Sequence, residues 1–158
     1  MCRAICSRCW RDLDEKDDSL LVQVCEVCFN NLLSSGDEKL SDCLEQLNTP
    51  AALVAGDLTV LLANSQLRRM LFIHDVVGLR IGKALGCSYA SLPGRCGEAS
   101  VCLQCEMRKA VVFTHFSDGR LSEKTISLAH TTEAKKTFTL TTEKAGEAIL
   151  MMITACRG

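Results

Sequence analysis

A chain of 158 residues has room for one domain of ordinary size plus a mini-domain, which excludes a full-sized catalytic domain standing beside a second one. With 47% hydrophobic and 23% charged residues the chain is too apolar for disorder, and a formal net charge of −1 gives it no overall attraction to nucleic acid or anionic membranes. The longest apolar stretches, 51–63 and 148–156, are too short to span a bilayer, and the N-terminus lacks the apolar core of a signal peptide, so the expected location is the cytoplasm.

Eleven cysteines in such a chain point to metal or redox chemistry, because a reducing compartment disfavours disulfides and an odd number cannot pair completely. The first four, Cys6, Cys9, Cys25 and Cys28, form C-x2-C-x15-C-x2-C. Each short knuckle aims two sulfurs at one point, and two knuckles supply the tetrahedral thiolate set that Zn2+ favours. Between them Leu20 to Val24 reads as a strand, and the second knuckle leads into a helix-compatible run, Phe29 to Leu33, that ends near Ser34-Ser35-Gly36. Residues 1–36 therefore resemble a treble-clef or zinc-ribbon finger. So short a module buries too little surface to fold unaided, and a structural Zn2+ supplies much of its folding free energy. A thioredoxin-like reading of either C-x2-C needs a strand-to-helix context in a larger sheet and ranks below zinc. Arg3, Arg8, Arg11 and Lys16 against Asp12, Asp14, Glu15, Asp17, Asp18 and Glu26 leave the finger at −2, which disfavours nucleic acid as its partner and favours protein contact.

Residues 37–48 form a connecting segment whose Leu40, Cys43, Leu44 and Leu47 follow the spacing of an amphipathic helix, with Cys43 as a small core residue. A strand over Ala51 to Ala55, a Gly56-Asp57 turn and a strand over Leu58 to Ala63 make a hairpin. Asn64 then caps a helix running to Phe72. A glycine-rich middle, Gly78 to Gly97, precedes a long helix from about Val101 to Phe116. Three strands, Leu121 to Thr131, Ala134 to Thr142 and Glu147 to Cys156, close the chain, with turns at Thr132-Glu133 and at Lys144-Ala145-Gly146. The expected class is α+β: a five-stranded antiparallel sheet with helices on one face, and the N-terminal finger beside it.

The stretch from Thr49 to Asn64, a hairpin followed by an Asn-initiated helix, resembles the opening of a PAS domain, and the three closing strands match that family's final sheet. The resemblance covers residues 40–156 and places the domain at 49–158. It implies a sensory or protein-interaction module. Because no output domain follows Gly158, the expected signal passes through a protein partner or a homo-oligomer, with no nucleic acid or membrane partner.

A second quartet, Cys87, Cys96, Cys102 and Cys105, spaced C-x8-C-x5-C-x2-C, falls where PAS domains have short connecting helices and a ligand cleft. The 87–105 segment looks similar to the cysteine-bearing PAS modules of some bacterial sensors. Gly94 and Gly97 let its backbone fold tightly round an ion, and both C-x2-C cysteines are expected at the start of the long helix. Four thiolates suit either Zn2+ or a [4Fe–4S] cluster; zinc is preferred as the commoner occupant of closed four-cysteine structural sites. His74, His115 and His130 are scattered, and His115 alone is a thin basis for a non-covalent haem ligand. Met70, Met107, Met151 and Met152 read as core filler. No Ser/His/Asp order, phosphate-binding loop or HExxH motif appears, so the chain is expected not to be an enzyme. The preferred reading is a metal-binding sensor or adaptor. An iron–sulfur redox or oxygen sensor using the second quartet, and a small thiol oxidoreductase, stay open as alternatives.

Overall fold

The computed structural model describes residues 38–91, 96–117, 120–129 and 135–157. The finger at 1–36 with Cys6, Cys9, Cys25 and Cys28, and also Gly94, His130 and the Thr132-Glu133 turn, lie outside the described residues.

Helix α1 (Glu38–Glu45) leads into the hairpin β1 (Ala51–Val54) and β2 (Val60–Ala63), then α2 (Ser65–Leu71) and the single turn α3 (Ile81–Ala84). Two 3-10 turns, Ser88–Ser91 and Ser100–Gln104, precede the long helix α4 (Glu106–Phe116). Strands β3 (Arg120–Leu128), β4 (Lys136–Ala145) and β5 (Ala148–Arg157) complete one antiparallel sheet in the order β2-β1-β5-β4-β3. Two strands, helices and three strands are the element order that the PAS resemblance implies.

Alternation along the strands gives the sheet two apolar faces. On one, Ala52, Val54, Phe138, Leu140, Ile149 and Met151 pack against Leu67 of α2, Ile81 of α3 and Met107 and Val111 of α4. On the other, Ala51, Leu53, Ala148 and Leu150 are covered by Leu40 and Leu44 of α1, with Cys43 and Leu47 half-buried beside them. Helices on one face is therefore right for α2, α3 and α4 and corrected for α1. An eight-residue helix is marginal alone. Burying its two leucines contributes roughly 1.5–3 kcal/mol each, so docking on the sheet is what makes α1 a helix. Of the methionines assigned to the core, Met107 and Met151 are buried and Met70 and Met152 are half-buried against it.

Two of the strand boundaries that differ from the sequence reading have a visible local cause. Strand β2 starts at Val60 and not at Leu58, because Leu58 takes φ 74° and its N–H closes a turn onto the Ala55 carbonyl at 2.9 Å. The final hairpin turns at Gly146-Glu147, with Ala145 paired to Ala148 and Gly146 at φ 60° as the first residue of the two-residue loop.

Buried Asn64 joins three elements. Its Oδ1 accepts from the N–H groups of Leu67 and Ala51, both at 3.0 Å, and its Nδ2 donates to the carbonyls of Thr49 at 2.8 Å and Leu44 at 3.2 Å. Nearby, the Ser65 hydroxyl donates to the Glu45 carboxylate at 2.7 Å and the Ser65 N–H donates to it at 2.9 Å, tying the end of α1 to the start of α2. The Ser65 hydroxyl is the main cause that holds the Glu45 carboxyl below its ordinary range; slight burial opposes it, and the Ser65 N–H, Arg68 and Arg69 reinforce it. A carboxylate with a depressed folded-state pKa stabilises above its unfolded value and loses that contribution as pH falls through the folded value. Acidification below about pH 4.3 is thus expected to lower the protection of the α1 amides, relative to the intrinsic exchange rate at each pH, in the native chain and to leave that protection largely unchanged in Glu45→Gln. Equal pH dependence in the two proteins would contradict the assignment.

Candidate four-cysteine site

Cys87, Cys96, Cys102 and Cys105 all line one cavity of about 130 Å³. Three local devices bring them there. Cys87 follows α3, where its N–H donates to the Gly82 carbonyl at 2.8 Å, and the next residue's N–H donates to the Ala129 carbonyl just beyond β3, also at 2.8 Å. Cys96 rests on Gly82: a Cβ built at Gly82 would overlap the Cys96 sulfur, so the glycine is what admits that thiol. Cys102 and Cys105 sit on either side of a 3-10 closure in which the Cys105 N–H donates to the Cys102 carbonyl at 3.1 Å.

The long helix begins at Glu106, not at Val101. Cys105, with ψ 120°, is its N-cap residue, while Cys102 belongs to the preceding 3-10 turn. The expectation that both cysteines sit at the start of this helix is met by Cys105 and corrected for Cys102. The extended backbone at Cys105 interrupts the helical pattern that the side-chain spacing suggests. Glu106 pins the first turn of α4 to the sheet through Lys124 of β3 at 2.7 Å, and it also pairs with Lys109 at 3.0 Å.

Arg80 braces the loop on its outer side. Its guanidinium donates to the Asp57 carbonyl and to the Cys96 carbonyl at 3.4 Å, and it pairs with Glu98 at 3.3 Å and with the Asp57 carboxylate at 3.8 Å. Gly97 takes φ 94° with Leu58 so close that an added Cβ would stand 2.9 Å from its Cδ1. Its N–H donates to the Cys102 sulfur at 3.3 Å. Neither Arg80 nor Gly82 was singled out from sequence, since each acts on residues distant along the chain; the only signal was a glycine inside the short helical tetrad that contains it.

Burial pushes the Cys87 and Cys96 thiols up, and charge on the other cysteines of the quartet pushes the same way. Backbone hydrogen bonds from Tyr89 and Ala90 to Cys87, and from Gly82 to Cys96, act in the opposite direction. A cation placed among the four removes the like-charge penalty, which is the electrostatic condition for ligation. The remaining walls include Leu58, Val101, Met107 and Leu128, so the thiols face an apolar space. Among the described residues, no three His, Cys, Asp or Glu side chains are gathered closely enough to hold a single metal ion.

The weaker candidates lie elsewhere. His115, on α4, stacks its ring over Gly56 at the tip of the first hairpin and edge-on to Phe116, and it does not line the cysteine cavity. His74 is exposed and also lies off that cavity. Among the described residues no helix is long and apolar enough to cross a membrane.

No known family model matches the chain, and no curated protein matches it. Solved structures do resemble it, distantly. The PAS domain of a Desulfitobacterium hafniense protein is 14% identical with a TM-score of 0.42, over 70% of this chain and 93% of that one. The LOV protein of Rhodobacter sphaeroides is 13% identical with a TM-score of 0.49, over 77% of this chain and 67% of that one. The PAS domain of an HTR-like protein from Haloarcula marismortui is 14% identical with a TM-score of 0.43, over 81% and 95%.

Proposed function

We propose that this chain is a PAS-like sensory module whose input is a metal centre held by Cys87, Cys96, Cys102 and Cys105, and whose output is a contact with a protein partner or a second copy. The observation that carries this reading is the convergence of four thiols, from three separate segments, on one cavity. Core packing alone does not call for four cysteines in one apolar pocket, whereas ligation does.

The position of the site supports a sensory role. Its walls include the loop after α3, the start of α4 and the end of β3, so a change in its occupancy is felt by the helix and the sheet edge together. Cys105 caps α4, and α4 lies across β3, β4 and β5. Phe113 and Phe116 on that helix are exposed, which leaves apolar surface on the element that the centre anchors. The thiol oxidoreductase reading has less support, because Cys102 lies inside the 3-10 turn Ser100–Gln104 and not at the end of a strand. For the finger at 1–36 the proposal stays as read from its spacing: a structural Zn2+ on Cys6, Cys9, Cys25 and Cys28.

Hydrogen exchange on the full chain, with bound metal and after chelation, tests the sensory reading. Metal removal is expected to speed exchange at least tenfold across 78–105 and the first turn of α4, with β4 and β5 little changed. Identical protection of 78–105 in both states would rule out a metal-organised loop.

A further inference from the structure

The tip of the β1–β2 hairpin touches both the cysteine loop and the far end of α4. It is a stiff turn: the Leu58 N–H donates to the Ala55 carbonyl at 2.9 Å, the Ala55 N–H to the Thr59 carbonyl at 2.8 Å, and the Thr59 N–H to the Asp57 carboxylate at 3.0 Å. On one side buried Leu58 sets its Cδ1 against Gly97, and its carbonyl accepts from the Ile81 N–H of α3 at 2.8 Å. Arg80 ties the Asp57 and Cys96 carbonyls together on that same side. On the other side Gly56 lies under the His115 ring. A Cβ built at Gly56 would stand 3.2 Å from Cε1 and 3.3 Å from both ring nitrogens, so the imidazole rests face-on against the backbone. His115 in turn meets exposed Phe116 edge-on, with ring centroids 5.1 Å apart.

We infer that this tip is a rigid strap that couples the loop carrying Cys96 to the last turn of α4, so that a shift of the loop is delivered to the exposed Phe116. That role rests on the sensory reading above and deepens it by naming the route from the site to a surface, whereas the contacts stand without it. Cys105 already caps one end of α4. His115 stands near the other end, roughly 15 Å away at 1.5 Å per residue, so without the strap the loop would hold only the near end. With it, the 96–105 loop holds both ends, and the helix follows the loop as a body. Packed contacts and rigid elements carry such displacements where neither side has room to relax. Room is absent at both joints, since neighbouring atoms crowd the place where a methyl group would go at Gly97 and at Gly56. Gly56 takes no positive φ, so what it supplies is clearance for the ring and not a special backbone conformation.

The test is hydrogen exchange, read as protection relative to the intrinsic rate, on the full native chain and on Gly97→Ala, Gly56→Ala, His115→Ala and the Gly97→Ala/His115→Ala pair. A methyl group at 97 pushes Leu58, and one at 56 pushes the His115 ring. Gly97→Ala is expected to lower the protection of 114–117 at least threefold. Gly56→Ala, with its ordinary backbone conformation, is expected to keep the fold and to lower the protection of 96–98, as reciprocal coupling requires. In the His115→Ala background Gly97→Ala should no longer reach 114–117. Native protection of 114–117 in Gly97→Ala and of 96–98 in Gly56→Ala, or an undiminished effect of Gly97→Ala once His115 is gone, overturns the strap. Should Gly97→Ala also strip protection from β4 and β5, it has unfolded the domain, and the response of 96–98 in Gly56→Ala decides alone. Chelation of the native chain keeps this result apart from the sensory reading. Loosening of 78–105 on chelation, without communication between 96–98 and 114–117 in the variants, overturns the strap and leaves the sensory reading standing. Communication in the variants, without any response to chelation, upholds the strap and removes its metal input.

Discussion

Replacing Asn64 with alanine is expected to destabilise the domain by about 3–5 kcal/mol, with an unchanged denaturant slope if the fold is kept. The side chain is fully buried and satisfies two N–H groups and two carbonyls on the end of α1, the start of β1 and the first turn of α2. Truncation strands the Leu67 and Ala51 N–H groups and the Thr49 carbonyl, while the Leu44 carbonyl keeps the Leu47 N–H at 3.3 Å; a stranded buried group costs about 1–3 kcal/mol, and water entering the space left by the amide offsets part of the sum. Asn64→Asp separates capping from donation. It keeps acceptors for Leu67 and Ala51 but sets a carboxylate oxygen against the carbonyls of Thr49 and Leu44, so its stability should recover partly when acid protonates the new carboxyl. A loss below about 1 kcal/mol in Asn64→Ala would show that this junction is not the hub the geometry indicates.

The capping role of Asn64 was legible in sequence, because an Asn between a strand pattern and a helical run has few other uses. Its two donated bonds were not, since they depend on where α1 ends in space. The same division recurs along the chain. Strand-like runs set between turn residues revealed all five strands, and turn geometry, the positive φ at Leu58 and at Gly146, shifted two of their ends. The face that α1 covers was not legible, because an apolar stripe says that a helix is covered and not by which side of a sheet. The Thr114–Thr142 hydroxyl pair, buried at 2.7 Å between α4 and β4, likewise has no local signature. At the site, clustering of the four cysteines along the chain anticipated their convergence on one cavity. The break at Cys105 and the parts played by Arg80 and Gly82 arise from the packing of α3 and the 96–105 loop. Pairwise distances of that kind are not written in spacing.

Among substitutions that touch no ligand, the largest effect on metal binding is expected from Gly82→Ala. A methyl group there overlaps the Cys96 sulfur, and backbone and thiol must separate. Alanine suits a helix better than glycine by up to about 1 kcal/mol, so α3 itself should not suffer. The displaced thiol leaves a three-cysteine set in a cavity built for four, and a loss of metal occupancy of tenfold or more is expected, comparable to the 10–100-fold cost of disturbing residues that orient metal ligands. Retained occupancy with an unchanged spectrum would mean that Cys96 is not a ligand.

Metal content per chain in four single variants, Cys87→Ser, Cys96→Ser, Cys102→Ser and Cys105→Ser, each purified without air beside the native chain, tests the central claim most directly. If the four thiols act as one centre, every substitution removes the same metal complement, and the metal held by Cys6, Cys9, Cys25 and Cys28 remains. Four variants that keep the native complement, or that lose it to different extents according to which cysteine is changed, would contradict a single shared centre.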